Sequence, residues 1–208
     1  SAWHAEGRRF ESGYLHQKIR FFINIMIYLI ISISLLSIVF AFWVRRKIFR
    51  LKTFDQKAEE VSQAILEGSK AYLKRQFKVV SFIALILAII LMSFLGFKTA
   101  LGFLIGAVAS GLAGYLGMLT AVKANIRVAE SAKSGLHKAF KIAFDGGAVT
   151  GFLVVGLGLL VVSVFWLLTK DINALIGVGF GGSLISVFSR LGGGIYTKAA
   201  DVGADLVG

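Results

Sequence analysis

Between Phe21 and Val44 the chain carries no charged side chain, and four further windows, 79–97, 99–122, 146–169 and 172–189, are equally free of charge. A run of about 18 or more apolar residues is long enough to cross a bilayer core about 30 Å thick as a helix. Five such runs within 208 residues predict an all-α, multi-pass integral membrane protein of about five transmembrane helices. Composition agrees, with 57% of residues hydrophobic and 16% charged, against about 25% charged in a soluble domain. The first run exceeds the core of a signal peptide and ends in WVRRKIFR rather than in small residues, so it reads as an uncleaved span.

The remaining charge lies between the runs. Link 45–78 holds ten Lys or Arg and four acidic residues, link 123–145 holds five basic residues, and the hairpin links Lys98 and Lys170–Asp171 hold one basic residue each. The positive-inside rule then puts 45–78, 123–145 and the polar segment 190–208 in the cytoplasm and the N-terminus outside. Arg8, Arg9, Lys18 and Arg20 pull the other way. They belong to a polar N-terminal tail, 1–20, with no clear apolar period, which is set apart from the helical fragment 21–208 as a stretch that need not be native. The same rule explains the net charge of +12 with no nucleic acid as partner. In a prokaryote the location would be the cell membrane.

Within the links and spans several local patterns stand out. Ala58, Val61, Ile65, Leu66, Tyr72 and Leu73 recur at helical intervals, predicting an amphipathic helix at the membrane surface that leads into the second span. Gly102, Gly106, Ser110 and Gly114 recur every four residues in the third span, a small-residue face that lets two backbones approach closely. Glu130 and Lys133 have the spacing of an ordinary helix pair. His137 reads as solvated, and Asp145, before two glycines, reads as a helix boundary at the membrane surface. With no Cys there are no disulfides or thiolate sites. No GxxxxGK[ST] loop or HExxH occurs, which leaves a P-loop ATPase without support.

The chemistry-bearing residues cluster at the C-terminal end. If the helix of the fifth span continues past Gly192–Gly194, then at about 100° per residue Lys198, Asp201 and Asp205 fall at about 80°, 20° and 60° from Arg190. All four share a sector about 80° wide, on a helix whose other residues there are small, apolar or hydroxylic. Carboxylates four apart suit a hard cation such as Mg2+, which takes a few carboxylates together with phosphate oxygens and water. Arg190 and Lys198 add positive charge for an anionic phosphate. The plain alternative, in which these groups solvate a helix leaving the bilayer while Arg190 snorkels, fits the spacing equally well.

The run SRLGGGIYTKAADVGADLVG, residues 189–208, resembles the pyrophosphate-binding signature of the membrane-integral pyrophosphatases. GSKAYLKRQF, KANIRVAESA, FDGGAVTGFLVVGLGLL and IGVGFGGSLISVFSRLGGG resemble that family in the family's order, so the likeness covers roughly 55–208. The resemblance implies an N-terminal part of a pump that couples hydrolysis of Mg-pyrophosphate to H+ or Na+ translocation. It implies an all-helical bundle of about sixteen membrane-buried helices, with the N-terminus outside and a homodimer as the working unit. Asp201 and Asp205 match the family's Mg2+-pyrophosphate aspartates, Lys198 its substrate-contacting lysine, and Arg190 an arginine needed for coupling. The family's further aspartate-rich segments are not among these residues, so residues 1–208 alone are expected to be inactive. The rival readings are a fragment of a secondary ion transporter or channel with an Asp/Lys ion-binding stripe, and a membrane scaffold with no site.

Overall fold

The computed structural model describes the backbone of residues 2–207 and the side chains of residues 18–206. Most side chains of the tail 1–20, and Gly208, lie outside that range. Five α-helices follow one another: α1 (Ala2–Phe49), α2 (Gln56–Leu95), α3 (Phe97–Ala132), α4 (Leu136–Thr169) and α5 (Ile172–Val207). All five are long and apolar enough to cross a membrane. At 34 to 48 residues and 1.5 Å per residue they reach about 50–70 Å. Each therefore outruns the hydrocarbon core and projects from it.

α3 is the hub, packing on α5, α4 and α2, while α1 packs chiefly on α4. The α3–α5 contact is backbone on backbone. A Cβ at Gly106 would overlap the carbonyl of Val178, and one at Gly177 or Gly181 would overlap a carbonyl of α3, that of Thr99 or Phe103. The Ser110 hydroxyl donates to the Gly182 carbonyl at 3.3 Å. Gly102, Gly106 and Ser110 thus line the contact as their spacing predicts. Gly114 departs from that pattern: a Cβ there would meet nothing within 4 Å, because it has reached the open cleft beside α5.

Where the helices stop differs from the sequence reading in several places. The α2–α3 hairpin pivots on Gly96, at φ 86°, and Lys98 is already inside α3. A left-handed residue is needed to reverse the chain, and glycine adopts it without a Cβ clash. The α4–α5 turn does fall at Lys170–Asp171, with Lys170 itself left-handed at φ 50° and its N–H donating to the Trp166 carbonyl at 2.9 Å. α2 is unbroken from Gln56 to Leu95, so the amphipathic stretch extends the axis of the second span instead of lying along the surface. Asp145 is interior to α4, where it accepts from Lys47 Nζ at 3.2 Å. It marks a contact to α1, not a helix boundary.

Glu130 and Lys133 do not pair with each other. Glu130 Oε1 accepts from the backbone N–H groups of Phe54 and Asp55, and Lys133 Nζ donates to Asp55 Oδ2 at 2.8 Å. Asp55 also caps α2, accepting from Ala58 N at 3.1 Å, which satisfies one of the orphan donors of a helix start. Arg127 Nε donates to the Leu51 carbonyl at 3.1 Å, and Arg45 Nε to Thr120 Oγ1 at 3.2 Å. The two basic links and the C-terminal half of α5 therefore gather at one end of the bundle.

Candidate functional site

α5 runs without a break from Ile172 through Gly192–Gly194 to Val207. Arg190, Lys198, Asp201 and Asp205 accordingly stand on one helix, all four exposed. The opposite face is held. Tyr196 Oη and Ser69 Oγ of α2 share a hydrogen bond at 3.0 Å, and the Tyr72 and Tyr196 rings lie 5.1 Å apart. Gln76 Nε2 donates to the Phe188 carbonyl at 2.9 Å, and Gly192 passes so close that a Cβ there would overlap the Tyr72 hydroxyl.

In the same helical frame Phe188, Gly192 and Tyr196 fall at about 160°, 200° and 240°, nearly opposite the charged sector at about 0–80°. Packing on α2 thus turns the charged stripe away from that helix. These contacts escaped the sequence reading, although a signal exists: Gly68, Tyr72 and Gln76 form an i, i+4 row on α2, as do Gly192 and Tyr196 on α5, and such rows meet across a helix pair.

The stripe's electrostatics are those of a solvated surface. Lys198 Nζ lies 3.6 Å from Asp201 Oδ2, with the two side chains 78% and 65% exposed. An exposed pair of this kind is worth about 0–1 kcal/mol and is easily opened by a ligand. Among the described residues no group of three or more His, Cys, Asp or Glu is placed to hold a metal ion. Asp201 and Asp205 are two oxygen donors one helical turn apart. Their chemistry fits Mg2+, which binds through one or two carboxylates and fills its remaining positions with water and phosphate oxygens.

Toward the bundle the stripe continues into a cleft of about 630 Å³ between α3, α4 and α5. Glycines, alanines and serines, Gly114, Gly158, Ser183 and Ser186 among them, share its lining with valines, Leu157 and Ile185, and Arg190 is its one charged residue. The cleft links the exposed stripe to the membrane-embedded part of α5. His137, by contrast, is exposed at the start of α4.

The family model described as inorganic H+ pyrophosphatase matches residues 35–208. A K(+)-insensitive pyrophosphate-energized proton pump of Methanosarcina mazei is 48% identical over 177 residues, covering 84% of this chain and 26% of the relative. One of the same name from Chloroflexus aurantiacus is 40% identical over 212 residues, covering 89% and 27%. A putative K(+)-stimulated pyrophosphate-energized sodium pump of Clostridium tetani is 40% identical over 176 residues, covering 84% and 26%. The chain spans about a quarter of the length of these curated relatives.

Proposed function

The chain belongs to the inorganic H+ pyrophosphatase family, and from that premise we propose that it is an N-terminal part of a pyrophosphate-energised ion pump and supplies one wall of its substrate site. The observation that carries this is the unbroken α5, which aligns Arg190, Lys198, Asp201 and Asp205 on the face turned away from α2. Lys198 neutralises phosphate charge, exchanging its weak pair with Asp201 for a phosphate oxygen. Asp201 and Asp205 would hold Mg2+, which when bound screens the diphosphate and acts as a Lewis acid on the leaving phosphate. Arg190, at the end of the cleft, ties the hydrolytic wall to the membrane interior, where H+ or Na+ crosses. The basic links support a site on the cytoplasmic side with the N-terminus outside, and the reading includes a homodimer of the whole protein.

The relatives named above include proton pumps and a putative sodium pump, so family membership does not choose between the two ions. A secondary transporter would bind cations indifferently to pyrophosphate, and family membership gives that reading no support. The test is Asp201→Asn and Asp205→Asn, made singly in the full-length protein and assayed for Mg2+-dependent pyrophosphate hydrolysis. Each should lower turnover by about 100-fold or more, the loss typical of removing one charge-stabilising group from a reaction site. Unchanged turnover in both would reduce the stripe to a solvated helix exit. Residues 1–208 alone, offering two carboxylates on one wall, should show no turnover.

A further inference from the structure

Beside the α1–α4 contact, on elements that take no part in the stripe, two cavities lie end to end. At the end of the bundle that carries the basic links, a pocket of about 320 Å³ is lined by Lys47, Lys138, Lys141, Ser131 and Asp145 together with the aliphatic Ile48, Leu51 and Ile142. Lys47 and Asp145 neutralise each other at 3.2 Å. Lys138 and Lys141 are exposed and make no ion pair among the described residues, so the pocket keeps an excess of two positive charges. Below it, between residues 33–40 of α1 and 144–159 of α4, runs an apolar furrow of about 700 Å³. Phe40 and Phe152 form its floor, edge to face at 4.8 Å, and Phe144 stands exposed along it.

The membrane level is marked independently. Trp43 is 60% exposed one turn below Lys47, whose Nζ lies 5.9 Å from its ring. An exposed Trp with a Lys above it is the signature of the lipid–water boundary, where the indole sits at the headgroups and the ammonium reaches past them. From that boundary at Trp43 it is about 15 Å, at 1.5 Å per residue, down α1 to Ile33, the furthest residue of α1 that lines the furrow. One leaflet contributes about 15 Å of hydrocarbon, so a single acyl chain fits its length.

We propose that the α1–α4 furrow with its lysine pocket is a binding site for one anionic phospholipid, the phosphate against Lys138 and Lys141 and an acyl chain along Phe40, Phe144 and Phe152. Basic pockets between transmembrane helices at the cytoplasmic surface recognise such headgroups, and a basic pocket opening onto an apolar furrow at the interface takes both parts of the molecule. The proposal stands apart from the pyrophosphate reading, since none of its residues belongs to the stripe.

The experiment is a titration of the detergent-solubilised full-length protein with phosphatidylglycerol brominated on its acyl chains. The readout is the part of the tryptophan quenching that disappears in Trp43→Phe. Lys138→Gln/Lys141→Gln should weaken that quenching by about 30-fold, as expected for two lysines near an anionic headgroup. The control Lys52→Gln/Lys57→Gln, removing the same charge elsewhere in the basic link, should leave it within twofold. Equal quenching by brominated phosphatidylcholine, or an equal effect of the control pair, would show only unselective surrounding lipid and overturn the proposal. Displacement of the lipid by millimolar inorganic phosphate would make the pocket a free-anion site and overturn it as well.

Discussion

Tyr196 of α5 and Ser69 of α2, 127 positions apart in the chain, share a hydrogen bond at 3.0 Å, with Ser69 fully buried. It joins the projecting halves of two helices, where little lipid or core packing can fix their relative rotation. That rotation decides which way Lys198, Asp201 and Asp205 face.

Tyr196→Phe should therefore cost about 1 kcal/mol of stability, the net worth of a typical hydrogen bond. It should also raise KM for Mg-pyrophosphate in the full-length protein more than it lowers kcat. Ser69→Ala should do the same. In a double-mutant cycle the two losses should fall short of additivity by about 0.5–1 kcal/mol, whereas full additivity in thermal melts would mean that the two hydroxyls do not act together.

The link between α1 and α2 should respond to acid. The hydrogen bond from Lys133, then that from Ala58 N, holds the Asp55 carboxyl below its ordinary 3.8, and Asp55 in turn raises Lys133 above its ordinary 10.5. A depressed carboxyl stabilises the fold fully above its ordinary value and loses that contribution as pH falls through the folded value. A raised ammonium does so fully below its ordinary value and loses it as pH rises through the folded one. Asp55→Asn keeps a capping oxygen but removes the charge. Its melting temperature should lie below wild type at neutral pH, and the difference should shrink below pH 3.8. A gap that stays constant into acid would leave the pair without a role.

The sequence made the spans and the continuity of α5 legible because hydrophobic runs and 100° steps are properties of one helix. The helix ends were less legible, since Lys98 and Gly96 are both plausible in a turn and only the backbone angle separates them. The partners of Glu130, Lys133 and Asp145 were not legible at all. Each is satisfied by another helix or by the α1–α2 link, and the helix spacing that suggested local roles carries no information about which neighbour arrives. The charged stripe was legible as a pattern, but its direction away from α2 follows from Tyr196, Gly192 and Phe188 being claimed by that helix.

Helix packing gives a sharper contrast within α5. Gly181→Ala should lower the melting temperature of the purified protein, since its Cβ would overlap the Phe103 carbonyl, a backbone atom that cannot swing aside. Overpacking of that kind costs about 1–3 kcal/mol. Gly179→Ala, two residues away with nothing within 4 Å, should be neutral or stabilising, because alanine is the better helix former by about 1 kcal/mol. Similar melts for the two variants would mean that α3 and α5 are not in backbone contact.

Arg190 should separate the two halves of the proposed activity. It is exposed at the end of the stripe and also lines the cleft that enters the bundle between α3, α4 and α5. Asp201 lies 11 positions further along the helix, about 16 Å at 1.5 Å per residue, too far for Arg190 to share a ligand with that carboxylate. On the proposed function its charge would then act on what enters the cleft rather than on a phosphate held by Lys198. In full-length protein reconstituted into vesicles, Arg190→Gln should abolish the ion gradient formed on adding pyrophosphate while hydrolysis falls by less than about tenfold, a change of under 1.4 kcal/mol in the barrier. Arg190→Lys should restore transport only in part, because a single ammonium cannot reproduce the planar fork of a guanidinium. Equal loss of both activities would place Arg190 in the hydrolytic site itself, and equal retention would make it a snorkelling anchor.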